Sequence, residues 1–312
     1  MGKTAVIVNE FGEIGLDHEL IEKSDENTIL LGTGCLCCTV RGDLVNTLGD
    51  LSVRRLKKEV PPFEHVVIET TGLADPAPIL HTLMSVPVVS RYRLDTVVTT
   101  VDAVIGSATL AAHVEAVKQA AMADHLIITK TDLSDEGQAD QLIESLRQLN
   151  PAAPATPVIS GDIHPDDLFG SLRFDPEAKT DDVRKWLKAE KYDAEHDRDS
   201  QDVNRHGKKI QSFCLTFDEP FEWRTIALWL DSLAANHGEK LLRVKGMIDV
   251  EGTEEPVIIH AVQHLFHPPV KIQAWPEGRR QSRIIFITND LPRSHVEDAL
   301  AKAEKITRSK QC

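Results

Sequence analysis

The chain has 312 residues, 41% of them hydrophobic and 27% charged, and its 35 Lys and Arg against 49 Asp and Glu leave a net charge of −14. That length is enough for two domains with their own cores, and the acidic balance argues against nucleic-acid binding, which runs on basic patches. No apolar run approaches the roughly 20 residues that cross a membrane, and five cysteines without a leader peptide point to a reducing, cytoplasmic setting.

The predicted elements begin with Thr4-Ala-Val-Ile-Val-Asn9, a continuous apolar run of the kind buried on both faces of a sheet. A helix is expected just after Cys38, because Val40, Leu44, Leu48 and Leu51 fall on one face. His65–Thr70, Leu94–Val101 and His125–Thr129 read as further strands, with a helical stretch, Ala112–Ala121, between the last two. Ser134 reads as the N-cap of a helix running to about Asn150, with Asp135 and Glu136 in its first turn. Val158-Ile159 closes the series as a short strand. This alternation predicts an α/β domain over residues 1–174, with a mainly parallel sheet and helices on both faces.

Residues 175–209 are dense in Asp, Glu, Lys and Arg and read as a solvated linker, its His196 and His206 being exposed residues or transient metal contacts. From 210 to 312 the pattern changes. Ser212–Phe217 is a strand, and a helical stripe through Ile226, Leu230 and Leu233 stops at Gly238, placed as a C′ residue. Strands at Leu241–Val250, Val257–Phe266 and Arg283–Thr288 follow in close succession, then a terminal helix from about Ser294. Strands without intervening helices predict an antiparallel sheet in a small α+β domain.

Three segments carry chemistry. In Gly34-Cys-Leu-Cys-Cys-Thr39, the thiols of Cys35, Cys37 and Cys38 are too close in sequence for an unstrained disulfide among themselves. They suit Zn²⁺, or Co²⁺ competing for the same site, and a helix N-terminus beside them favours thiolate. The alternative is a small buried cysteine group without a ligand. Val66-Val-Ile-Glu-Thr-Thr-Gly72 is a strand ending in an acid, with a glycine three positions on. Glu69 there would reach a Mg²⁺ shell, and Gly72 would let its N–H approach a γ-phosphate; an ordinary strand terminus gives the same pattern. Thr129-Lys-Thr-Asp132 follows its strand directly, as a guanine-reading turn does. The Asp132 carboxylate would accept from the base N1–H and exocyclic amine, with the Lys130 stem along the ring face; a surface turn is the other reading.

In this order the segments resemble the CobW-type metal-handling GTPases, relatives of the nickel-insertion GTPases of hydrogenase and urease maturation. The resemblance rests on Ile7-Val-Asn-Glu-Phe-Gly-Glu13, Gly34–Asp43, Glu69-Thr-Thr-Gly-Leu-Ala-Asp-Pro76, Thr129–Asp132 and Leu241-Leu-Arg-Val-Lys-Gly246. It implies a GTPase domain followed by a CobW C-terminal domain, and GTP hydrolysis coupled to delivery of Zn²⁺ or Co²⁺ to a metal-requiring client protein. Cys35, Cys37 and Cys38 would hold the metal. Glu10 and Glu13 would answer to the nucleotide, Glu13 with Glu69 as catalytic groups, and Gly72, Thr129, Lys130 and Asp132 would bind it. The family's P-loop lies upstream of the Val-Asn-Glu-Phe-Gly strand, and Gly2-Lys3-Thr4 imitates only its end, so Lys3 is not assigned to phosphate. The expectation for this chain is a sheet lacking its first strand, weak GTP binding and negligible hydrolysis. The rival reading is a non-catalytic pseudo-GTPase that buffers or senses zinc.

Overall fold

The computed structural model describes residues 4–9, 28–33, 40–72, 74–168, 210–272, 274–275 and 280–309. Glu10, Glu13, the three clustered cysteines and the charged segment 175–209 lie outside the described residues. Two compact units result, Met1–Leu94 and Asp95–Cys312.

In the first unit, β1 (Thr4–Asn9) lies between β2 (Thr28–Thr33) and β3 (His65–Glu69) in an all-parallel sheet. Parallel neighbours need crossover connections, and the one leading to β3 is α1 (Val40–Leu56). Its Leu44, Leu48 and Leu51 are buried as the 3.6-residue periodicity predicts, Leu44 and Leu48 in a cluster with Ile7 and Ile79. Ile79 belongs to α2 (Pro76–Leu83), whose N-terminus is fixed locally. Asp75 caps it by accepting from the Ala77 N–H at 3.0 Å, and Pro76 takes the first helical position.

In the second unit, β4 (Val98–Asp102), β5 (His125–Thr129) and β6 (Ala155–Pro157) form a parallel sheet in that order. The helical stretch predicted between β4 and β5 is two helices, α3 (Gly106–Ala112) and α4 (Val114–Met122), broken where His113 is extended. The helix after β5 differs from expectation at its start. It is α5 (Gln138–Leu149), entered through Gly137 at φ 76°, because the Ser134 hydroxyl donates to the Thr131 carbonyl at 3.0 Å instead of capping a helix.

The C-terminal part of this unit comprises β7 (Ile210–Phe217), α6 (Trp223–His237), β8 (Leu241–Ile248), β9 (Val257–Val262), β10 (Leu265–Phe266), β11 (Val270–Lys271), β12 (Ser282–Asn289) and α7 (Arg293–Arg308). Its sheet runs β10-β9-β8-β12-β7 with antiparallel pairing throughout, β11 adding to β9. One face packs on α6 and α7 around Trp229, Val244, Ile248 and Phe286, with the Trp229 indole donating to the Val296 carbonyl at 3.0 Å. Gly238 is right-handed (φ −53°, ψ −42°), so it is not the left-handed stop expected. A Cβ there would sit 2.5 Å from the His264 ring, and close approach is what requires the glycine.

The strand period of two turns Arg243 and Lys245 of β8 away from α6 and α7, toward Asp124 at the start of β5. Asp124 accepts from Arg243 Nη2 and from Lys245 Nζ at 2.7 Å on Oδ1, and from the Val97 N–H at 3.0 Å on Oδ2. Burial alone would raise its carboxyl; the two cations override burial and hold it well below the usual carboxylate range. Lys245 must share that one carboxylate with Arg243, so burial wins there and lowers its ammonium. Burial, reinforced by Arg243, also lowers His260 and His267, whose rings lie 4.9 Å apart.

A pH dependence follows. Below the ordinary histidine value of 6.5 the unfolded chain takes up protons that folded His260 and His267 refuse, so stability is full above that value and falls as pH drops through it. Urea unfolding from about pH 7.5 to about pH 5 should show a declining midpoint, and His260→Gln should flatten the decline. An equal slope in the variant would remove His260 from this behaviour.

Candidate functional site

The described nucleotide candidates sit at the carboxyl ends of strands, where α/β sheets bind ligands. In the first unit Glu69 ends β3, exposed, with no polar partner among the described residues. Gly72 follows in the turn to α2, and a Cβ there would meet no described atom within 4 Å. Packing by the described residues therefore does not demand the glycine.

In the second unit Thr129, Lys130 and Asp132 are brought together where β5 turns toward α5. Thr129 lies opposite Asp102, the last residue of β4. Lys130 is left-handed at φ 56°, a conformation a non-glycine residue holds only when its surroundings impose it. The restraint is visible: Lys130 Nζ lies 2.6 Å from Asp102 Oδ2, and the Leu133 N–H donates to the Lys130 carbonyl at 3.1 Å. Asp102 Oδ1 in turn accepts from the N–H groups of Val104 and Ile105 at 2.8 and 3.2 Å. The hydrogen bond from Lys130, aided by these backbone donors, lowers the Asp102 carboxyl below its ordinary value. Asp132 is exposed and carries no partner among the described residues, so both its oxygens are available to donors from outside.

Asp102 escaped the sequence reading. The signal for it was Val98-Thr-Thr-Val-Asp102, a second strand ending in an acid, like the strand that ends in Glu69. The turn after β6 was also missed. The Val158 N–H donates to the Ile128 carbonyl at 2.8 Å, and Ser160 and Gly161 follow at φ 50° and 76°. This left-handed pair thus follows the strand that neighbours β5.

Cys35, Cys37, Cys38 and Glu13 lie outside the described residues. The flanks of the cysteine segment are described: β2 ends at Thr33, and α1 begins at Val40, as predicted from its periodicity. Among the described residues no group of three or more His, Cys, Asp or Glu could hold a metal ion, and no helix is long and apolar enough to cross a membrane.

Parallel α/β strands with an acid, a glycine and a TKTD turn at their carboxyl ends, followed by an antiparallel α+β sheet, define a P-loop-GTPase-like protein with an appended C-terminal domain. The chain belongs to the CobW/HypB/UreG family: that nucleotide-binding domain matches residues 2–157, and the cobalamin synthesis protein cobW C-terminal domain matches residues 210–304. It is 32% identical over 304 residues to the zinc chaperone YjiA of Escherichia coli, covering 97% of this chain and 90% of the relative. The zinc chaperone CobW of a Sinorhizobium species is 26% identical over 330 residues, covering 96% of this chain and 88% of the relative. The crystal structure of Zn(II)-bound YjiA GTPase from E. coli superposes with a TM-score of 0.69 at 27% identity, over 97% of this chain and 90% of that one.

The Lys130–Asp102 pair is partly solvated, with 57% of the lysine side chain exposed, so it shapes the turn more than it stabilises the fold. Asp102→Asn keeps an acceptor for Val104 and Ile105 while removing the charge. Urea unfolding should register a loss of at most about 1 kcal/mol; a loss above about 3 kcal/mol, the scale of a broken buried pair, would contradict this reading.

Proposed function

We propose that this protein is a cytoplasmic, GTP-dependent zinc chaperone that carries Zn²⁺, with Co²⁺ as the alternative, to a metal-requiring client protein. Hydrolysis of GTP by water to GDP and phosphate would switch it between metal-holding and metal-releasing states. The observation that carries this reading is the likeness, along 97% of the chain, to a protein named a zinc chaperone. The cargo would be held by the thiolates of Cys35, Cys37 and Cys38, a donor set whose softness suits Zn²⁺.

The open Asp132 carboxylate supports the nucleotide side of the proposal. Two acceptor oxygens match the N1–H and exocyclic amine of guanine, and adenine would leave them unpaired. Lys130, held by Asp102, would present its stem to the base. Gly72 would admit its own N–H to a terminal phosphate, and Glu69, exposed without a described partner, fits the outer shell of the Mg²⁺ that accompanies a nucleoside triphosphate. That Mg²⁺ would neutralise phosphate charge. We assign Glu13 with Glu69 to the hydrolytic step.

Two outcomes are expected. The reduced protein should bind about one Zn²⁺ with sulfur in its first shell at about 2.3 Å by X-ray absorption. Cys37→Ser with Cys38→Ser should abolish that site, and full stoichiometry and affinity in the double variant would move the metal elsewhere. Asp132→Asn should weaken GTP binding roughly 10- to 100-fold and relax rejection of xanthosine triphosphate, whose extra carbonyl an amide N–H can meet. An unchanged base preference in competition titrations would take the turn out of the site.

A further inference from the structure

Leu241-Leu-Arg-Val-Lys-Gly246 lies far along the chain from the Thr129–Asp132 turn, yet its two cations converge on Asp124, the residue just before β5. We propose that Asp124, Arg243 and Lys245 form a latch by which the C-terminal sheet positions the Thr129–Asp132 turn. Asp124, Arg243 and Lys245 are then positioning residues for nucleotide recognition. The inference rests on the nucleotide-binding reading above for its purpose, but not for its geometry.

The geometry brings both cations of β8 to one carboxylate. The Asp124 side chain has no exposed surface and that of Arg243 only 2%. Arg243 Nε and Nη1 have no partner among the described residues, so Asp124 is the acceptor that holds this guanidinium. On its other oxygen Asp124 takes the Val97 N–H, and its own N–H donates to the Val97 carbonyl at 2.7 Å, which fixes the approach to β4 as well. Asn150 braces the same corner. Its amide donates to the carbonyls of Ala120, Ala121 and Ala123 at 2.9, 3.1 and 2.9 Å, tying the end of α4 to the end of α5.

From this corner β4 and β5 run side by side, Val98 opposite His125 through Asp102 opposite Thr129. They end at the pair that fixes the turn, Asp102 and Lys130. Five extended residues carry a displacement at Asp124 to Thr129, roughly 16 Å away, without a soft joint, because the strands are hydrogen-bonded along their length. A purely adhesive contact would be served by apolar side chains at lower desolvation cost; a buried charge set specifies one alignment of β8 on β5.

The test is amide hydrogen exchange on the full chain, with Lys245→Met as the loosened latch and Lys245→Arg as the conservative rescue. The reporters are the amides of Ala103, Leu133 and Val158, which donate to Thr129, Lys130 and Ile128 around the turn, and the controls are Leu300 and Ala303 in α7. Lys245→Met should speed the reporters about tenfold and leave the controls within about twofold, and Lys245→Arg should restore them. Unmoved reporters, or reporters and controls accelerating by one common factor, would overturn the latch. Should Lys245→Met fail to fold, Lys245→Gln, which keeps one hydrogen bond without the charge, is read the same way. Titration with fluorescent GDP separates the two claims. No binding by the unmodified protein would sink the nucleotide reading, while the exchange pattern, which needs no nucleotide, still decides the latch.

Discussion

A carboxylate without exposed surface cannot stay ionised unless the fold brings cations to it, and that constraint organises the second unit. Asp124 demands Arg243 and Lys245, which lie 119 and 121 residues further along the chain, so β8 must return to the start of β5 in one register. The alternation of β8 completes the demand. With Arg243 and Lys245 turned toward Asp124, Val244, Gly246 and Ile248 must face the opposite core, where Gly246 has no room for a Cβ against Ile259 at 2.8 Å. One buried charge thereby fixes both which face of the sheet meets α6 and α7 and which meets the nucleotide-type strands.

The same economy of charge recurs at the turn after β5, with the opposite exposure. Asp102 spends one oxygen on two backbone donors and the other on Lys130, and this leaves Asp132 as the acid without a partner among the described residues. Two acids within reach of one lysine would otherwise compete for it. Because β4 ends in the partner and the lysine follows β5, the second acid, Asp132, stays open to a ligand. Glu69, at the end of β3, is likewise exposed with no polar partner among the described residues.

Much of this was legible in the sequence, and the exceptions have physical causes. Apolar runs gave β1, β3 and β5 nearly to the residue, and helical periodicity gave the buried leucines of α1 and the stripe of α6. The start of α5 was misplaced because Ser134 looks like a cap in sequence, whereas its hydroxyl serves the tertiary turn before it. Gly238 was read as a left-handed stop, and only the packed structure brings the His264 ring against it. β2 drew no notice, since Thr28–Thr33 runs directly into the cysteine segment. Asp124 drew no notice for a more general reason. A lone acid before a strand is ordinary until the cations that answer it are seen, and those are far away in sequence.

Two proposed capacities meet in this chain: metal holding by the thiol-rich segment between β2 and α1, and base reading by the Thr129–Asp132 turn that the latch would position. A zinc chaperone of the kind proposed requires that the nucleotide change the hold on the metal, and one measurement tests that requirement directly. Zinc-loaded protein is mixed with a chromophoric chelator, and the rate of Zn²⁺ transfer is followed without nucleotide, with GDP and with GTP. Release that differs by about tenfold or more between the GTP and GDP states is the predicted result. Release rates identical in all three conditions, with GTP bound, would contradict coupling and leave a zinc-binding protein whose nucleotide serves some other end.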